Sequence, residues 1–242
     1  MDIIRSKIFE QYPELVFGMS TRSGSDDALG RNMSFNVGDD TQNVRENRKR
    51  FFAELGIDGE RIAFPQQEHT NVVHICTAPA HYPRCDALVT ATKGIFLAVS
   101  VADCTPVTLY DPSKRIVAGI HAGWRGTSKN IVRNAVQLMK EHYAVDANNI
   151  AAFIGPSAAA CCYEVGSDVA ALFPTECKKE KGSGKFLLDV KEENRLQLLA
   201  NGVQESHIEV HPDCSIHNRL YHSYRRDGKK SGRMLAVIGM EK

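Results

Sequence analysis

Three side chains of types that bind metals or act as nucleophiles are the first candidates for chemistry in this chain: His69, Cys104 and His121. Cys104 and His121 lie on either side of the segment 111–114 (Asp-Pro-Ser-Lys), which is typical of a β-turn because proline presets φ at the second turn position. A hairpin centred on that turn places Cys104 directly opposite His121, on the same face of the sheet. Pro106, inside the first strand, indicates a sheet edge or a bulge that would alter this register.

This grouping is compatible with two kinds of chemistry. The thiolate and the imidazoles can share one metal ion, although the ligand spacing matches no compact zinc-finger pattern. Alternatively, Cys104 is a nucleophile with His121 as its base, and Asp103 or another carboxylate orients the imidazole. His69, in the polar segment "FPQQEHT" just ahead of a strand, is the third ligand that favours the metal interpretation.

A second feature, the segment "AGWRGT" directly after His121, suggests an anion site. The spacing of apolar residues predicts an amphipathic helix over 127–143, with Thr127 or Ser128 as its N-cap. A helix N-terminus offers unpaired N–H groups to an anion, and the guanidinium of Arg125 adds further donors. The sequence therefore predicts a place for phosphate beside the cysteine and the histidines.

The elements that must position these residues alternate between helical and strand-like segments. We expect a helix over 41–56, capped by Thr41 and stopped by Gly56, and another in "KEENRLQLLANG". Strands are expected at 71–76, 86–91 and 94–102 and in "NIAAFIGP", "HIEVHP" and "RMLAVIGM". Residues 21–40 and the charged segment 176–186 are predicted to be surface loops. The mixed order of elements predicts an α+β fold.

Length and composition exclude several classes of protein. A chain of 242 residues with 43% hydrophobic residues can bury a large core, and we expect one domain over residues 1–242. The net charge of +1 argues against nucleic acid as a partner, and no segment is long and apolar enough to span a membrane. Without a signal sequence, we expect a cytoplasmic protein. The seven cysteines, an odd number, make a disulfide framework improbable.

Five motifs in order resemble the YfiH family, also called the laccase-domain or polyphenol oxidoreductase family, some of whose members are described as peptidoglycan editing factors. These motifs are Gln-x-His at 67–69, "VADCTPV", "HAGWRGT", "IGPS" with "CYEVG", and "SYRRDG" followed by "GRM". The resemblance extends over roughly residues 20–239. The chain departs from the family at Gly24-Ser25-Asp26, where many members have Gly-Gly-Val-Ser, and at Cys85, where a glycine usually precedes "DALVT".

The resemblance implies a fold similar to the catalytic domain of cytotoxic necrotizing factor, with mixed β-sheets packed as a sandwich and helices outside. It also implies a metal, Zn²⁺ or alternatively Cu²⁺, bound by His69, Cys104 and His121, which would be the catalytic residues. Family members resemble purine nucleoside phosphorylases that act on adenosine, inosine and S-methyl-5′-thioadenosine, with adenosine deamination as a companion activity. The implied partners are therefore a purine nucleoside and phosphate.

Four further residues are candidates for binding the substrate. Arg48, Arg125 and Arg225 could clamp phosphate, because phosphorolysis needs the anion placed beneath the ribose. Tyr163, in the "CYEVG" motif, could contact the nucleoside. Two alternatives remain open: a copper-dependent polyphenol oxidase and a role in peptidoglycan-precursor editing or as a cysteine hydrolase. The His-x-His pairs of multicopper oxidases are absent from the nine histidines of the sequence.

Overall fold

The computed structural model describes residues 2–22 and 29–241. Gly24-Ser25-Asp26, where the sequence departs from the family motif, lies outside the described residues. The rest of the segment expected to be a surface loop is only partly exposed, because Asn32 and Met33 are fully buried.

The helices of the described residues are mostly short. The α-helices are α1 (Thr41–Glu54), α2 (Trp124–Thr127), α3 (Ile131–Tyr143), α4 (Ser167–Ala170), α5 (Val190–Ala200) and α6 (Tyr224–Asp227). Single 3₁₀ turns occupy Gly59–Arg61, Ala147–Asn149, Thr175–Cys177, Glu205–His207 and Gly228–Lys230. No helix within the described ranges combines the length and the apolar character needed to cross a membrane.

The strands are short as well, and most are buried. In chain order they are β1 (Ile3–Ile4), β2 (Leu15–Ser20), β3 (Ile62–Pro65), β4 (Val73–Ile75), β5 (His81–Tyr82), β6 (Ala87–Thr90), β7 (Phe96–Val101), β8 (Thr105–Asp111), β9 (Ile116–Ala122), β10 (Ala151–Ile154), β11 (Glu164–Gly166), β12 (Lys178–Gly182), β13 (Lys185–Leu188), β14 (Ile208–Val210) and β15 (Met234–Met240).

These strands form two six-stranded mixed sheets and a small third sheet. The first has the order β1-β2-β15-β7-β3-β5, the second β14-β10-β8-β9-β6-β4, and the third β11-β13-β12. Apolar side chains from the first two sheets meet in one buried cluster, in which Phe17 and Leu97 of the first sheet join Val117 and Phe153 of the second. The two sheets are therefore packed face to face, and the predicted α+β sandwich is confirmed.

Helices cover the outer faces of this sandwich. Phe51 and Phe52 of α1 pack against Val237 and Ala98 of the first sheet. On the other side, α3 and α5 pack on the second sheet, with Met139 of α3 in the same buried cluster as its strands. The helices thus lie outside, as expected, while the likeness to the cytotoxic necrotizing factor domain stays a prediction.

Two local predictions need correction. Helix α1 occupies most of the predicted span, but Asp40 rather than Thr41 caps it, because the Asp40 carboxylate accepts a hydrogen bond from the N–H of Gln42. The segment 176–186 is not a loop. Its charged residues form the antiparallel hairpin of β12 and β13, and the turn residues Ser183 and Gly184, like Gly182 before them, have positive φ.

Candidate metal centre and cleft

The structure brings His69, Cys104 and His121 together where the central strands β8 and β9 of the second sheet begin and end. The potential ligand atoms of the three side chains all lie within 4.8 Å of one another, and Cys104 Sγ is 3.8 Å from His69 Nε2. The two imidazole rings are 5.0 Å apart and nearly perpendicular. His121 is buried and His69 is exposed, so the cluster lies at the boundary between core and solvent.

The hairpin that carries two of these residues differs from the predicted register. His121 is opposite Pro106, not Cys104, because the strands are joined by the four residues 112–115 instead of two. Arg115 has a φ of 55°, and this left-handed residue lengthens the turn. The shift is by two residues, an even number, so Cys104 and His121 still share a face of the sheet. Cys104 directly precedes β8 and reaches the histidine from there.

Pro106 also causes no bulge in β8. The N–H of His121 donates to the backbone oxygen of Asp86, just before β6, at 2.8 Å and so points away from β8. His121 and Pro106 therefore form a pair without mutual backbone hydrogen bonds. The carbonyl of Pro106 accepts from Gly155 on the opposite side. The proline therefore occupies a position where its missing N–H costs the hairpin nothing.

A fully buried carboxylate, Asp86, holds the three-residue cluster in place. Its Oδ1 is 2.7 Å from His121 Nδ1 and accepts a hydrogen bond from the N–H of His69 at 3.0 Å. Its Oδ2 accepts from the N–H groups of Glu68 and Thr70 and from the Thr70 hydroxyl. With the Asp86 carboxylate on Nδ1, the Nε2 atom of His121 is left to act as a ligand.

The electrostatics of the cluster favour charged forms. Burial alone would raise the pKa of the Cys104 thiol, but His121 and His69 lower it below its usual value. Burial alone would lower the pKa of His121, but Cys104 and Asp86 raise it. For Asp86, burial is outweighed by hydrogen bonds from His121 and Thr70, which lower its pKa to about 2. Cys104 is therefore biased towards thiolate, the form that binds metals.

Asp103, proposed from the sequence to orient the imidazole, has another role. Its carboxylate accepts hydrogen bonds from the Ser215 hydroxyl at 2.7 Å and from the N–H of Arg225 at 2.6 Å. Its backbone oxygen accepts from the N–H of Ala158. Asp103 thus joins three loops beside the cluster, and of the two options left open by the sequence it is another carboxylate, Asp86, that contacts His121. Asp86 was not named from the sequence, because it reaches His121 only through the pairing of β6 with β9.

Two glycines of the "HAGWRGT" motif allow the close packing around the cluster. A Cβ atom on Gly123 would lie 2.9 Å from Cys104 Sγ and 3.2 Å from the His69 ring. A Cβ atom on Gly126 would lie 2.7 Å from the backbone oxygen of Thr70. Since such distances are too short for a side chain, both positions require glycine.

The predicted continuous helix after these glycines is interrupted. Helix α2 has only four residues, and α3 begins after Asn130, which has a φ of 63°. The Thr127 hydroxyl, predicted to cap the helix, instead donates to Asn194 Oδ1 of α5 at 3.1 Å. The long helix therefore starts at Ile131 and not at Thr127, and the short helix α2 stands between it and His121.

A small, open cleft adjoins Cys104. It is lined by Asp103, Cys104, Thr105, Ala122, Gly123, Trp124, Ala158, Tyr163 and Val190. Trp124 and Tyr163 supply two aromatic surfaces in it. Burial and the nearby Cys104 raise the pKa of the Tyr163 hydroxyl, so this group stays protonated at neutral pH.

Two of the three predicted arginines lie on these aromatic side chains. The Arg125 guanidinium is 4.3 Å from the centre of the Trp124 ring, and that of Arg225 is 5.1 Å from the Tyr163 ring. Both arginines are exposed, so they are accessible to an anion at the mouth of the cleft.

Arg48, the third predicted arginine, occupies a different environment. Its Nε donates to Met33 O at 2.7 Å, and its guanidinium lies between the rings of Phe35 and Phe64. Burial lowers its pKa to about 10. None of these three partners is among the described residues that line the cleft.

Sequence reasoning also missed Arg233, the arginine of the "GRM" motif. Its guanidinium donates to the carbonyls of Ser231 and Gly232. Burial lowers the pKa of Arg233, whereas the charges of Cys104 and Asp103 act to raise it. Arg233 is thus a half-buried cation within electrostatic range of Cys104 and Asp103.

Comparisons with known proteins agree over nearly the whole chain. Residues 16–241 match the profile of a family described as multi-copper polyphenol oxidoreductase laccase. The purine nucleoside phosphorylase YlmD of Geobacillus stearothermophilus is 36% identical over 93% of this chain and 89% of its own. Its crystal structure covers 100% of this chain and 97% of its own, with 34% identity and a TM-score of 0.93.

Two further proteins are similar to this chain. An adenosine deaminase named RL5, from an unknown prokaryotic organism, is 33% identical over 95% of this chain and 96% of its own. The crystal structure of the Bacillus licheniformis hypothetical protein YfiH, with 30% identity, covers 96% of this chain and 95% of its own at a TM-score of 0.91.

Proposed function

From the premise that this chain belongs to the YfiH family, described as multi-copper polyphenol oxidoreductase laccase, we propose that it is a metal-dependent purine nucleoside phosphorylase with adenosine deaminase as a side activity. The nucleosides are adenosine, inosine and S-methyl-5′-thioadenosine. The observation that carries this proposal is the cluster of His69, Cys104 and His121 at a cleft with two aromatic rings and two exposed arginines.

The residues of the cluster fit a metal ion. Two imidazoles and one thiolate form a donor set that suits Zn²⁺ and also Cu²⁺, and Zn²⁺ sites in enzymes commonly use three protein ligands. The hydrogen bond that His121 Nδ1–H donates to the Asp86 carboxylate is the supporting contact found at such sites. When bound, the metal supplies a positive charge and Lewis acidity next to the cleft.

The residues around the cleft meet the requirements of phosphorolysis. In that reaction a phosphate oxygen bonds to C1′ of the ribose while the bond from C1′ to the purine breaks, and the purine leaves with a proton. Arg225, Arg125 and Arg233 provide positive charge for the phosphate. Trp124 and Tyr163 provide surfaces for the purine ring.

Asp103 and Tyr163 complete the proposed binding of the nucleoside. The carboxylate of Asp103 keeps lone pairs for a ribose hydroxyl besides those that accept from Ser215 and Arg225. The protonated Tyr163 hydroxyl is available as a hydrogen-bond donor. Arg48, held between Phe35 and Phe64, would act through the fold of the neighbouring segment instead of touching phosphate.

A second candidate function, a cysteine hydrolase of peptidoglycan precursors, is favoured by one specific observation. Cys104, His121 and Asp86 have the nucleophile, base and orienting carboxylate in the order required for covalent catalysis. A copper-dependent polyphenol oxidase is the third candidate, since two histidines and a cysteine are also a copper donor set.

Phosphate-dependent release of the purine base tests the first proposal. Protein of known Zn²⁺ content is incubated with adenosine, inosine or methylthioadenosine, and the products are separated by chromatography. We expect free base only with phosphate, together with ribose 1-phosphate from adenosine and inosine and 5-methylthioribose 1-phosphate from methylthioadenosine, and inosine as a minor product from adenosine. Cys104→Ala should abolish both, whereas Cys177→Ser, which alters a buried cysteine outside the cluster, should retain them.

Metal removal separates the candidates. A phosphorylase that depends on the cluster loses activity on chelation and regains it with Zn²⁺. A cysteine hydrolase keeps its activity after chelation and loses it on alkylation of Cys104. Activity on phenols only after loading with Cu²⁺, without release of purine, would favour the oxidase and contradict the phosphorylase.

A further inference from the structure

A second group of thiols lies beyond the cleft. The Sγ atoms of Cys161, Cys162 and Cys214 are all within 4.8 Å of one another, and those of Cys161 and Cys162 are 3.4 Å apart. Cys161 and Cys162 belong to the loop between β10 and β11, and Cys214 follows β14. A bridge between Ser157 and Cys214 fixes the two segments side by side.

The surroundings of Cys214 favour negative charge. Its Sγ accepts a hydrogen bond from the N–H of Ala159 at 3.4 Å, and Cys214 itself is buried. Lys191, only 5% exposed, donates to the carbonyls of His211 and Asp213 at 2.8 and 2.7 Å. A buried ammonium group is thus held against the segment that carries Cys214, and thiolates nearby can balance its charge.

We infer that Cys161, Cys162 and Cys214 form a second metal site, which binds one thiophilic cation such as Zn²⁺ or Cu⁺ independently of the His69, Cys104 and His121 cluster. Soft thiolate ligands select such cations over Mg²⁺ or Ca²⁺. Binding releases the thiol protons to solvent and forms three metal–sulfur bonds without any redox step. Cys161 is exposed, so the cation can enter from solvent.

The position of this site links it to the wall of the cleft. Tyr163 follows Cys162 directly, and Ser215, which follows Cys214, donates to the Asp103 carboxylate. A cation shared by the two segments would hold Tyr163 and Asp103 at a fixed separation. The site would then be structural, and the proposed nucleoside chemistry would not depend on its occupant for any bond that forms or breaks.

Metal stoichiometry tests the inference in a background that lacks the first cluster. The Cys104→Ala variant is dialysed against Zn²⁺ and its bound metal is measured. We expect one equivalent to remain bound, and to be lost when Cys214→Ser or Cys161→Ser is added. The Cys177→Ser control should retain it. A Cys104→Ala protein that binds no Zn²⁺, or one whose Zn²⁺ is unaffected by either added substitution, would overturn the inference.

Alkylation of the native sequence gives a test that does not depend on folding of the variants. Iodoacetamide labelling of Cys161 and Cys162, read by mass spectrometry, should slow at least several-fold when Zn²⁺ is present. Mg²⁺ at the same concentration should give no protection. Equal labelling rates with and without Zn²⁺ would overturn the inference whatever the nucleoside assays show.

Discussion

Two buried histidines, His121 and His222, are nearly equal in exposure, but their pKa values are shifted in opposite directions. His121 is 3% exposed and lies between the carboxylate of Asp86 and the thiol of Cys104. His222 is 1% exposed, and its Nε2 has no hydrogen-bond partner among the described residues. Burial, with the charges of Arg22 and Arg233, lowers the pKa of His222 to about 3.

The difference shows that burial alone does not make a histidine functional. Desolvation acts against the charged form of both rings, but the anions around His121 reverse its effect and the cations around His222 reinforce it. The anions around His121 therefore favour positive charge at this ring, carried by a proton or, once Nε2 has lost that proton, by a bound metal cation, whereas the His222 ring stays neutral.

The largest expected effect separates the two histidines by function. His121→Ala removes a ligand, so we expect activity to fall by more than the roughly 100-fold that loss of a supporting contact costs at metal sites. His222→Ala should lower stability but leave the rate of phosphate-dependent purine release within about twofold of the native rate. A substitution away from the site acts mainly on the stability of the fold. Steady-state rates of the two folded variants are the measurement. Equal losses of activity would contradict the comparison.

Asp86→Asn tests the contact that distinguishes His121. The substitution keeps the shape of the side chain but removes its charge, so we expect Zn²⁺ affinity to fall about 10- to 100-fold. Competition with a chelator measures this affinity. Asp111→Asn is the matched control, because Asp111 is equally buried. It caps the turn of the β8–β9 hairpin, at the opposite end from His121. A loss of affinity in the control as large as in Asp86→Asn would refute the role of Asp86.

Much of this arrangement could be predicted from the sequence, and the reasons for the failures are physical. Periodicity and turn residues located most strands and the helices α1, α3 and α5, because those elements bury an apolar face. The predicted register of the hairpin was wrong because the left-handed Arg115 lengthens the turn, and an arginine does not indicate such a conformation. The face shared by Cys104 and His121 survived only because the shift was even.

The carboxylate that orients His121 could not be chosen from sequence spacing. Asp103 is adjacent to Cys104 in the chain, but its carboxylate accepts hydrogen bonds from Ser215 and Arg225 and not from His121. Its backbone has a φ of 81°. Asp86 reaches His121 because β6 pairs with β9, and this pairing joins segments distant in sequence. Long-range sheet topology, which local patterns do not encode, therefore decided which acid belongs to the site.

The third prediction concerns pH and the stability of the fold. The pKa of His222 is lower in the folded protein than its ordinary value of 6.5, so the unfolded chain binds a proton more readily. Its contribution to stability is complete above pH 6.5 and declines as the pH falls towards 3. Between pH 7 and pH 5 it should lower the free energy of unfolding by about 2 kcal/mol.

Urea unfolding at the two pH values measures this effect as a difference between the native sequence and His222→Asn. We expect the native protein to lose about 2 kcal/mol more than the variant, because the variant lacks the titrating ring. Parallel losses in both proteins would show that His222 is not the group responsible.

The smallest expected effects come from the glycines that pack beside each ring. A Cβ atom on Gly232 would lie 2.6 Å from Cε1 of His222, so Gly232→Ala should lower the free energy of unfolding by about 1 to 2 kcal/mol and leave activity unchanged. Gly123→Ala, which crowds Cys104 and His69, should instead weaken Zn²⁺ binding several-fold. Both are measured by urea unfolding and chelator competition. If Gly123→Ala changed only stability, or if Gly232→Ala changed only metal binding, the result would contradict the different roles assigned to His121 and His222.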